Sequence, residues 1–245
     1  MKAVILAAGQ GERLRPLTKN IPKVMLPIGK YPLLEYNIRL LKKYGFDEIA
    51  INLFWHGVAI RKYFKDGKKW DVKIHYSEEK EILGTAGGTK KAAKLLELKT
   101  NDPLLIYYGD NLTNLNLKEF LSFHQSKKAD LTMAVIKRED PLHSGILEFD
   151  RKGRIKRFLE KPTTKKLFSH WISGAIYLLN PKILEFIPQK KFFDFGRDFI
   201  PKLLELEKRV FAYKLTPEDF LLWVDTEEEY TMVKKIVSKG MVRLQ

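Results

Sequence analysis

Ala3-Val4-Ile5-Leu6-Ala7-Ala8-Gly9-Gln10-Gly11-Glu12-Arg13-Leu14-Arg15-Pro16-Leu17-Thr18, running on to Pro22-Lys23-Val24-Met25-Leu26-Pro27-Ile28, decides the fold class of this chain. Residues 3–8 are an unbroken apolar run that predicts a buried first strand. The glycines and cations that follow therefore fall at a strand's carboxyl end, where ligands bind in an open α/β sheet. Gly9 and Gly11 let backbone N–H groups close on a phosphate, and Arg13, Arg15 and Lys23 bring positive charge to it. This pattern predicts a nucleoside triphosphate site. It is not the dinucleotide fingerprint, whose third glycine falls elsewhere, and it lacks the Gly-Lys-Ser/Thr ending of a P-loop.

Outward from that stretch, apolar runs at 49–54, 72–76, 104–108 and 131–136 alternate with amphipathic segments at 32–44, 57–64, 87–98 and 117–126. The alternation predicts βαβ units and a doubly wound, mostly parallel mixed sheet with helices on both faces. In the first helix, Leu33, Leu34, Ile38, Leu41 and Tyr44 recur at near-helical spacing, and Gly45 can stop it. The pattern changes beyond residue 136. Residues 145–150 and 154–160 flank Arg151-Lys152-Gly153 as a hairpin, 172–179 reads as a buried strand, and a helix starts at Pro181. A helix at 198–207, a strand at 210–215 and a last helix at 226–238 complete the reading, a small β elaboration on the same sheet. The expected organisation is one domain over 1–245, with a nucleotide-binding part at 1–136 and a sugar-phosphate-binding part at 137–245.

Composition narrows the function classes. The 245 residues suffice for one substantial core, and the absence of cysteine excludes a disulfide framework, thiolate metal sites and cysteine nucleophiles. The five histidines are scattered without zinc-ligand spacing. No apolar run reaches membrane length, so a soluble, cytoplasmic protein is expected. A formal charge of +15 suits polyanionic substrates, nucleic acid or a lysine-rich surface. The lysine pairs lack aromatic interleaving, which favours solvated faces over nucleic-acid contact.

The run from Lys2 to Ile28 resembles the signature of the nucleoside-diphosphate-sugar pyrophosphorylases, the sugar-phosphate nucleotidyltransferases. The resemblance extends over nearly the whole chain, through Leu83-Gly84-Thr85-Ala86-Gly87, Tyr108-Gly109-Asp110, Glu160-Lys161-Pro162, Ser173-Gly174-Ala175 and Trp223-Val224-Asp225. It implies a Rossmann-like nucleotidyltransferase fold. It implies a nucleotide site at Leu6, Ala8, Gly9, Gly11, Arg13, Glu79, Gly84, Thr85 and Gly109, and a sugar-phosphate site at Gly145, Glu160, Lys161, Ser173 and Gly174. Arg13, Lys23 and Lys161 are the implied catalytic cations, and Asp110 and Asp225 the implied ligands of Mg2+.

Two carboxylates with phosphate and water suit magnesium, but these aspartates stand 115 residues apart and only the fold can bring them together. Taken alone, Asp110 also suits a turn or helix cap, and Asp225 an N-cap, a role Thr226 fits equally. Ser173 stands where many relatives carry asparagine, and the Gly174-Ala175 order is reversed. The sugar is therefore less fixed than the reaction. The expected partners are an NTP and a hexose 1-phosphate, with self-association compatible and no membrane. The leading pair is GTP with mannose 1-phosphate, because the Leu-Gly-Thr-Ala-Gly loop resembles guanylyltransferases somewhat more. Glucose 1-phosphate with dTTP or UTP is the alternative, and a catalytically silent nucleotide-binding subunit is the reading from another class. No left-handed β-helix extension is expected.

Overall fold

The computed structural model describes residues 1–100, 102–163 and 167–240. Strand β1 (Lys2–Leu6) is followed by the short β2 (Pro27–Ile28) and β3 (Tyr31–Pro32), then by α1 (Leu33–Lys43), β4 (Glu48–Leu53), α2 (Gly57–Phe64) and β5 (Lys73–Glu78). Next come α3 (Gly84–Ala93), β6 (Leu104–Tyr108), β7 (Asn111–Thr113), α4 (Leu117–Ser126) and β8 (Leu131–Lys137). The second half holds β9 (Gly145–Phe149), β10 (Ile155–Glu160), β11 (Trp171–Leu179), α5 (Ile200–Glu205), β12 (Val210–Lys214), β13 (Leu221–Trp223) and α6 (Glu227–Ser238).

Strands β5, β4, β1 and β6 pair in parallel in that spatial order, and β6 continues into antiparallel β11. Strand β8 lies against β11 and carries β12 in parallel, while the β9–β10 hairpin joins β11 through Ile146 and Ile172. The sheet is thus doubly wound and mixed, as the alternating runs predict. Chain order reverses between β1 and β6, which makes their carboxyl ends the crevice of the sheet.

Side chains that alternate along β1 explain the two layers. Ala3 and Ile5 face a core with Leu34, Ile38 and Leu41 of α1, Ile60 and Phe64 of α2 and Phe120 of α4. Val4 faces the opposite core, with Ala86, Ala92 and Ala93 of α3 and Ile200 and Leu203 of α5. A third cluster joins Leu14, Leu26 and Ile28 to Leu112, Val224, Tyr230 and Val233. It pins the cationic loop after β1 to the last helix.

The helix expected at 87–98 forms instead at Gly84–Ala93. Its first turn takes a tertiary cap, since the N–H groups of Ala86 and Gly87 both donate to the Phe193 carbonyl at 3.0 Å. The segment starting at Pro181 is a 3-10 helix to Phe186, and the helix expected at 198–207 begins earlier, as a π-helical turn at Phe195–Phe199 ahead of α5. The paired strands β7 and β13 are each only three residues long. β7 follows directly on the apolar run of β6, and β13 lies in the short apolar segment 220–224 that precedes Asp225.

Candidate active site

Three loops meet at the crevice. The first leaves β1 and returns through a 3-10 turn at Lys23–Met25, where Pro22 opens the turn and buried Val24 and Met25 anchor it. That anchoring leaves Lys23 as the residue aimed back at the crevice. The second loop follows β6: the Gly109 N–H donates to the Leu6 carbonyl at 2.9 Å, and the buried Asn37 side chain donates to the Gly109 carbonyl at 2.8 Å. The third follows β13, which pairs with β7 so that Trp223 lies opposite Asn111, and the Val224 N–H donates to the Asp110 carbonyl at 3.0 Å.

This pairing settles how two distant acids meet. Lys23 Nζ donates to Asp110 Oδ2 and, at 2.6 Å, to Asp225 Oδ1; Arg13 Nη2 lies 3.0 Å from Asp225 Oδ2. Thr226, not Asp225, caps α6. Its hydroxyl accepts from the Glu229 N–H at 3.2 Å, and Glu229 Oε2 accepts from the Asp225 and Thr226 N–H groups. The Asp225 carboxylate is therefore free to face the lysine.

One cation between two acids sets the local electrostatics. Burial opposes the charge on Lys23, but Asp110 and Asp225 outweigh it and hold the ammonium above its usual range. Burial pushes the Asp110 carboxyl up, and Asp225 adds to this while Lys23 opposes it. Burial also acts against ionisation of Asp225, yet Lys23 and Arg13 together keep that carboxyl below its usual range. The acids are thus inequivalent, and the doubly contacted Asp225 is the firmly ionised one.

Two cavities open beside this triad. One, of about 290 Å³, is lined by Gln10, Gly11, Glu12, Arg13, Lys23 and Asp225. The other, of about 320 Å³, is bounded by residues that include Leu6, Ala8, Gly9, Glu79, Gly84, Thr85 and Asp110. Lys23 lines both; together the two linings hold the predicted nucleotide residues other than Gly109, and each holds one of the two aspartates. Gly109 is buried against Leu6 and Val24.

The cavity wall is fixed by the predicted Glu79, Gly84 and Thr85 together with two further residues, Asn52 and Asp194. Asn52, the polar residue of the otherwise apolar 49–54 run, accepts from the Ala7 N–H at 2.7 Å and donates to Glu79 Oε1 at 2.8 Å. Glu79 Oε2 in turn accepts from the Leu83 N–H at 3.0 Å. Gly84 has φ of +74°, and a Cβ there would lie 2.6 Å from the Phe193 carbonyl oxygen. Asp194 accepts from the Thr85 hydroxyl at 2.7 Å and from the Gly196 and Arg197 N–H groups, and its own N–H donates to Asp198. The signal for Asn52 was its polarity inside an apolar strand; Asp194 opens the segment 194–201, which resembles the family's but gave Asp194 no role of its own.

None of the predicted sugar-phosphate residues lines the larger of these two cavities. Burial, reinforced by Asp194 and opposed by Lys161 and Arg197, holds the Glu160 carboxyl above its usual range. That carboxylate passes between two glycines: a Cβ on Gly145 would meet Glu160 Oε2 at 2.6 Å, and one on Gly196 would meet its Cδ at 2.6 Å. Ser173 Oγ lies 3.0 Å from the Tyr177 hydroxyl, and Tyr177 packs edge-on to the cavity-lining Tyr108. Gly174 is buried under Leu221, and its carbonyl accepts from Asn111 at 2.9 Å. Lys161 is exposed, in the left-handed backbone region, and its N–H donates to the Ser144 carbonyl. It does not touch the Lys23 triad.

A family model described as "Nucleotidyl transferase" matches residues 2–228. The chain belongs to the nucleotidyl transferase family. Among its relatives, a UTP–glucose-1-phosphate uridylyltransferase of Synechocystis sp. is 33% identical, the match covering 100% of this chain and 66% of that protein. A mannose-1-phosphate guanylyltransferase of Mycobacterium tuberculosis is 31% identical, over 89% of this chain and 62% of that protein. Mannose-1-phosphate guanylyltransferase 1 of Arabidopsis thaliana is 35% identical, over 76% and 51%. The chain therefore spans about half to two thirds of the length of these relatives. Solved structures share the fold. A UDP-glucose pyrophosphorylase complexed with UDP-glucose superposes with a TM-score of 0.83 at 23% identity, over 98% of both chains. HddC from Yersinia pseudotuberculosis, complexed with GMP-PN, gives 0.79 at 26%, over 96% of this chain and 99% of that one. Among the described residues of this family member, no helix is long and apolar enough to cross a membrane.

Proposed function

We propose that this chain transfers a nucleotidyl group from a nucleoside triphosphate to a hexose 1-phosphate, making a nucleoside-diphosphate sugar and pyrophosphate. The observation that carries this reading is the convergence of Asp110 and Asp225 on the Lys23 ammonium, at the crevice of the sheet and beside the glycine-lined cavity. The acceptor phosphate is already anionic, so its oxygen attacks the α-phosphorus directly. The new phosphorus–oxygen bond forms as the bond to the bridging oxygen of the β-phosphate breaks, and pyrophosphate leaves with that electron pair. The protein's task is alignment and charge stabilisation.

Each residue's part follows from its place. Gly9, Gly11 and the backbone around them cradle the phosphates, Arg13 and Lys23 balance charge on the departing pyrophosphate, and Gly84 and Thr85 border the base. Glu160 and Ser173 offer oxygens to sugar hydroxyls, and Lys161 meets the sugar phosphate. Asp110 and Asp225 aim carboxylate oxygens at one shared point, a donor set that suits magnesium with phosphate and water completing its shell. A magnesium ion held there supplies charge neutralisation on the phosphates. Lys23 stands between the same oxygens, so the ammonium and the ion compete for them.

Among substrate pairs, GTP with mannose 1-phosphate is preferred, supported by the Leu83–Gly87 loop and by relatives named mannose-1-phosphate guanylyltransferases. Glucose 1-phosphate with UTP or dTTP is the competing pair, supported by the relative named for uridylyl transfer. A matrix of nucleoside triphosphates against hexose 1-phosphates, read as pyrophosphate release with magnesium present, tests both levels. Activity with any pair supports the reaction class, and the most efficient pair fixes the substrates. Folded protein silent across the matrix overturns the enzyme reading.

A further inference from the structure

A lysine-rich concavity lies away from the triad. A cleft of about 540 Å³ opens between α3 and the segment 188–191, walled by Lys80, Lys90, Lys91, Lys94, Lys190 and Lys191. Leu83, Gly87, Pro188 and Gln189 complete its lining, and Glu81 is its one carboxylate. Among the described residues no acid forms an ion pair with any of the six lysines. Two ammonium groups are held by neutral partners instead: Lys90 donates to the Ile187 carbonyl and Lys91 to that of Glu78. Burial lowers the Lys90 pKa, and Lys94 and Lys202 lower it further against Glu185. Six lysines thus crowd a cleft that holds one carboxylate, Glu81, and none of them is ion-paired among the described residues, an excess of positive charge that a bound anion would relieve.

We propose that this cleft is a second binding site, for a small anion carrying two or more phosphates. Its volume falls within the range of small-molecule pockets. Its lining contains no aromatic side chain on which unstacked bases could lie, which separates it from a single-strand channel. The cleft and the substrate cavity share no lining residue, yet both are lined from the same two segments of chain. Leu83 and Gly87 face the cleft while Ile82, Gly84 and Thr85 face the cavity; Lys190 and Lys191 face the cleft while Phe192 and Asp194 face the cavity. The two segments are bonded to each other, with the Phe193 N–H donating to the Leu83 carbonyl at 2.8 Å. An anion bridging the lysines of α3 and of 190–191 braces this joint.

Inorganic tripolyphosphate is the probe. Calorimetric titration of the intact protein is expected to show two classes of site. A variant combining Lys80→Ser, Lys190→Asn and Lys191→Ser, with asparagine chosen for the positive φ of 53° at residue 190, is expected to keep one class and weaken the other about tenfold, the scale of three exposed ion-pair contacts. Circular dichroism checks that the variant is folded, and hydrogen exchange should show tripolyphosphate-dependent protection of residues 188–193 in the wild type alone. A single class of site, or two classes unchanged in the variant, overturns the proposal. Tighter binding of a single-stranded oligonucleotide through the same lysines also overturns it. Loss of catalysis alone would bear on the proposed reaction and leave this test intact.

Discussion

Replacing Lys23 with methionine tests the centre of the site without changing its acids. The side chain keeps its length but loses the ammonium, leaving Asp110 and Asp225 facing each other with Arg13 as the remaining cation in contact with Asp225. Breaking one partner out of a buried ion pair costs roughly 3–5 kcal/mol. Lys23 and Asp110 are only 15% and 13% exposed, but Asp225 is 27% exposed and retains Arg13, so the lower end, about 3 kcal/mol, applies. For a chain of 245 residues that corresponds to a fall in Tm of about 6–12 °C. The sign with pH follows from Asp110. Its folded pKa already lies above the usual value and rises further once the cation is gone, so the deficit is greatest at neutral pH and shrinks as acid protonates that carboxyl. Magnesium should raise Tm more in the variant than in the wild type, because the acids no longer have to exchange an ammonium for it. Thermal unfolding at several pH values, with and without magnesium, reads all three effects. A Tm within roughly 2 °C of wild type at neutral pH, or identical magnesium shifts in both proteins, refutes the picture of one cation bridging two acids.

Asp225→Asn should lower kcat by about a hundredfold or more in a pyrophosphate-release assay while far-ultraviolet circular dichroism stays unchanged; a rate near wild type removes Asp225 from the chemistry. His124 is buried, with its Nδ1 2.8 Å from the Thr132 hydroxyl, and burial lowers its pKa from 6.5 to about 4. The folded protein thus resists protonation where the unfolded chain accepts it. Stability should fall by about 3 kcal/mol between pH 6.5 and 4, and His124→Gln should flatten this slope in urea titrations. Gly84→Ala should raise the KM for the nucleoside triphosphate and lower Tm, since the added methyl meets the Phe193 carbonyl at a positive φ of 74°; unchanged kinetics would detach this loop from the substrate. Gly145→Ala, whose methyl meets both the Phe158 ring and the Glu160 carboxylate, should raise the KM for the sugar phosphate and leave that for the nucleotide nearly unaltered, a split that product-formation kinetics would reveal.

The local pattern carried far. Helices α2 and α4 and strand β6 occupy the residues their periodicity marks, because each buries an apolar face that only one regular backbone can present. Where a segment's partner lies elsewhere, the reading slipped. Helix α3 starts early because Phe193 caps it, and β7 and β13 exist as strands chiefly through each other. Of the nucleotide residues, Glu79 proved to have both oxygens engaged by Asn52 and Leu83, a positioning part that spacing could not express.

By itself the sequence determined the alternating layers, the glycine turn after the first strand and the kinds of charge near it, because hydrophobic period and backbone sterics are local properties. Only the tertiary structure decided that Asp110 and Asp225 share Lys23, that Thr226 takes the capping role, and that Glu160 threads between Gly145 and Gly196. Those contacts join residues whose separation along the chain says nothing of their separation in space, and the pairing of β7 with β13 closes that distance.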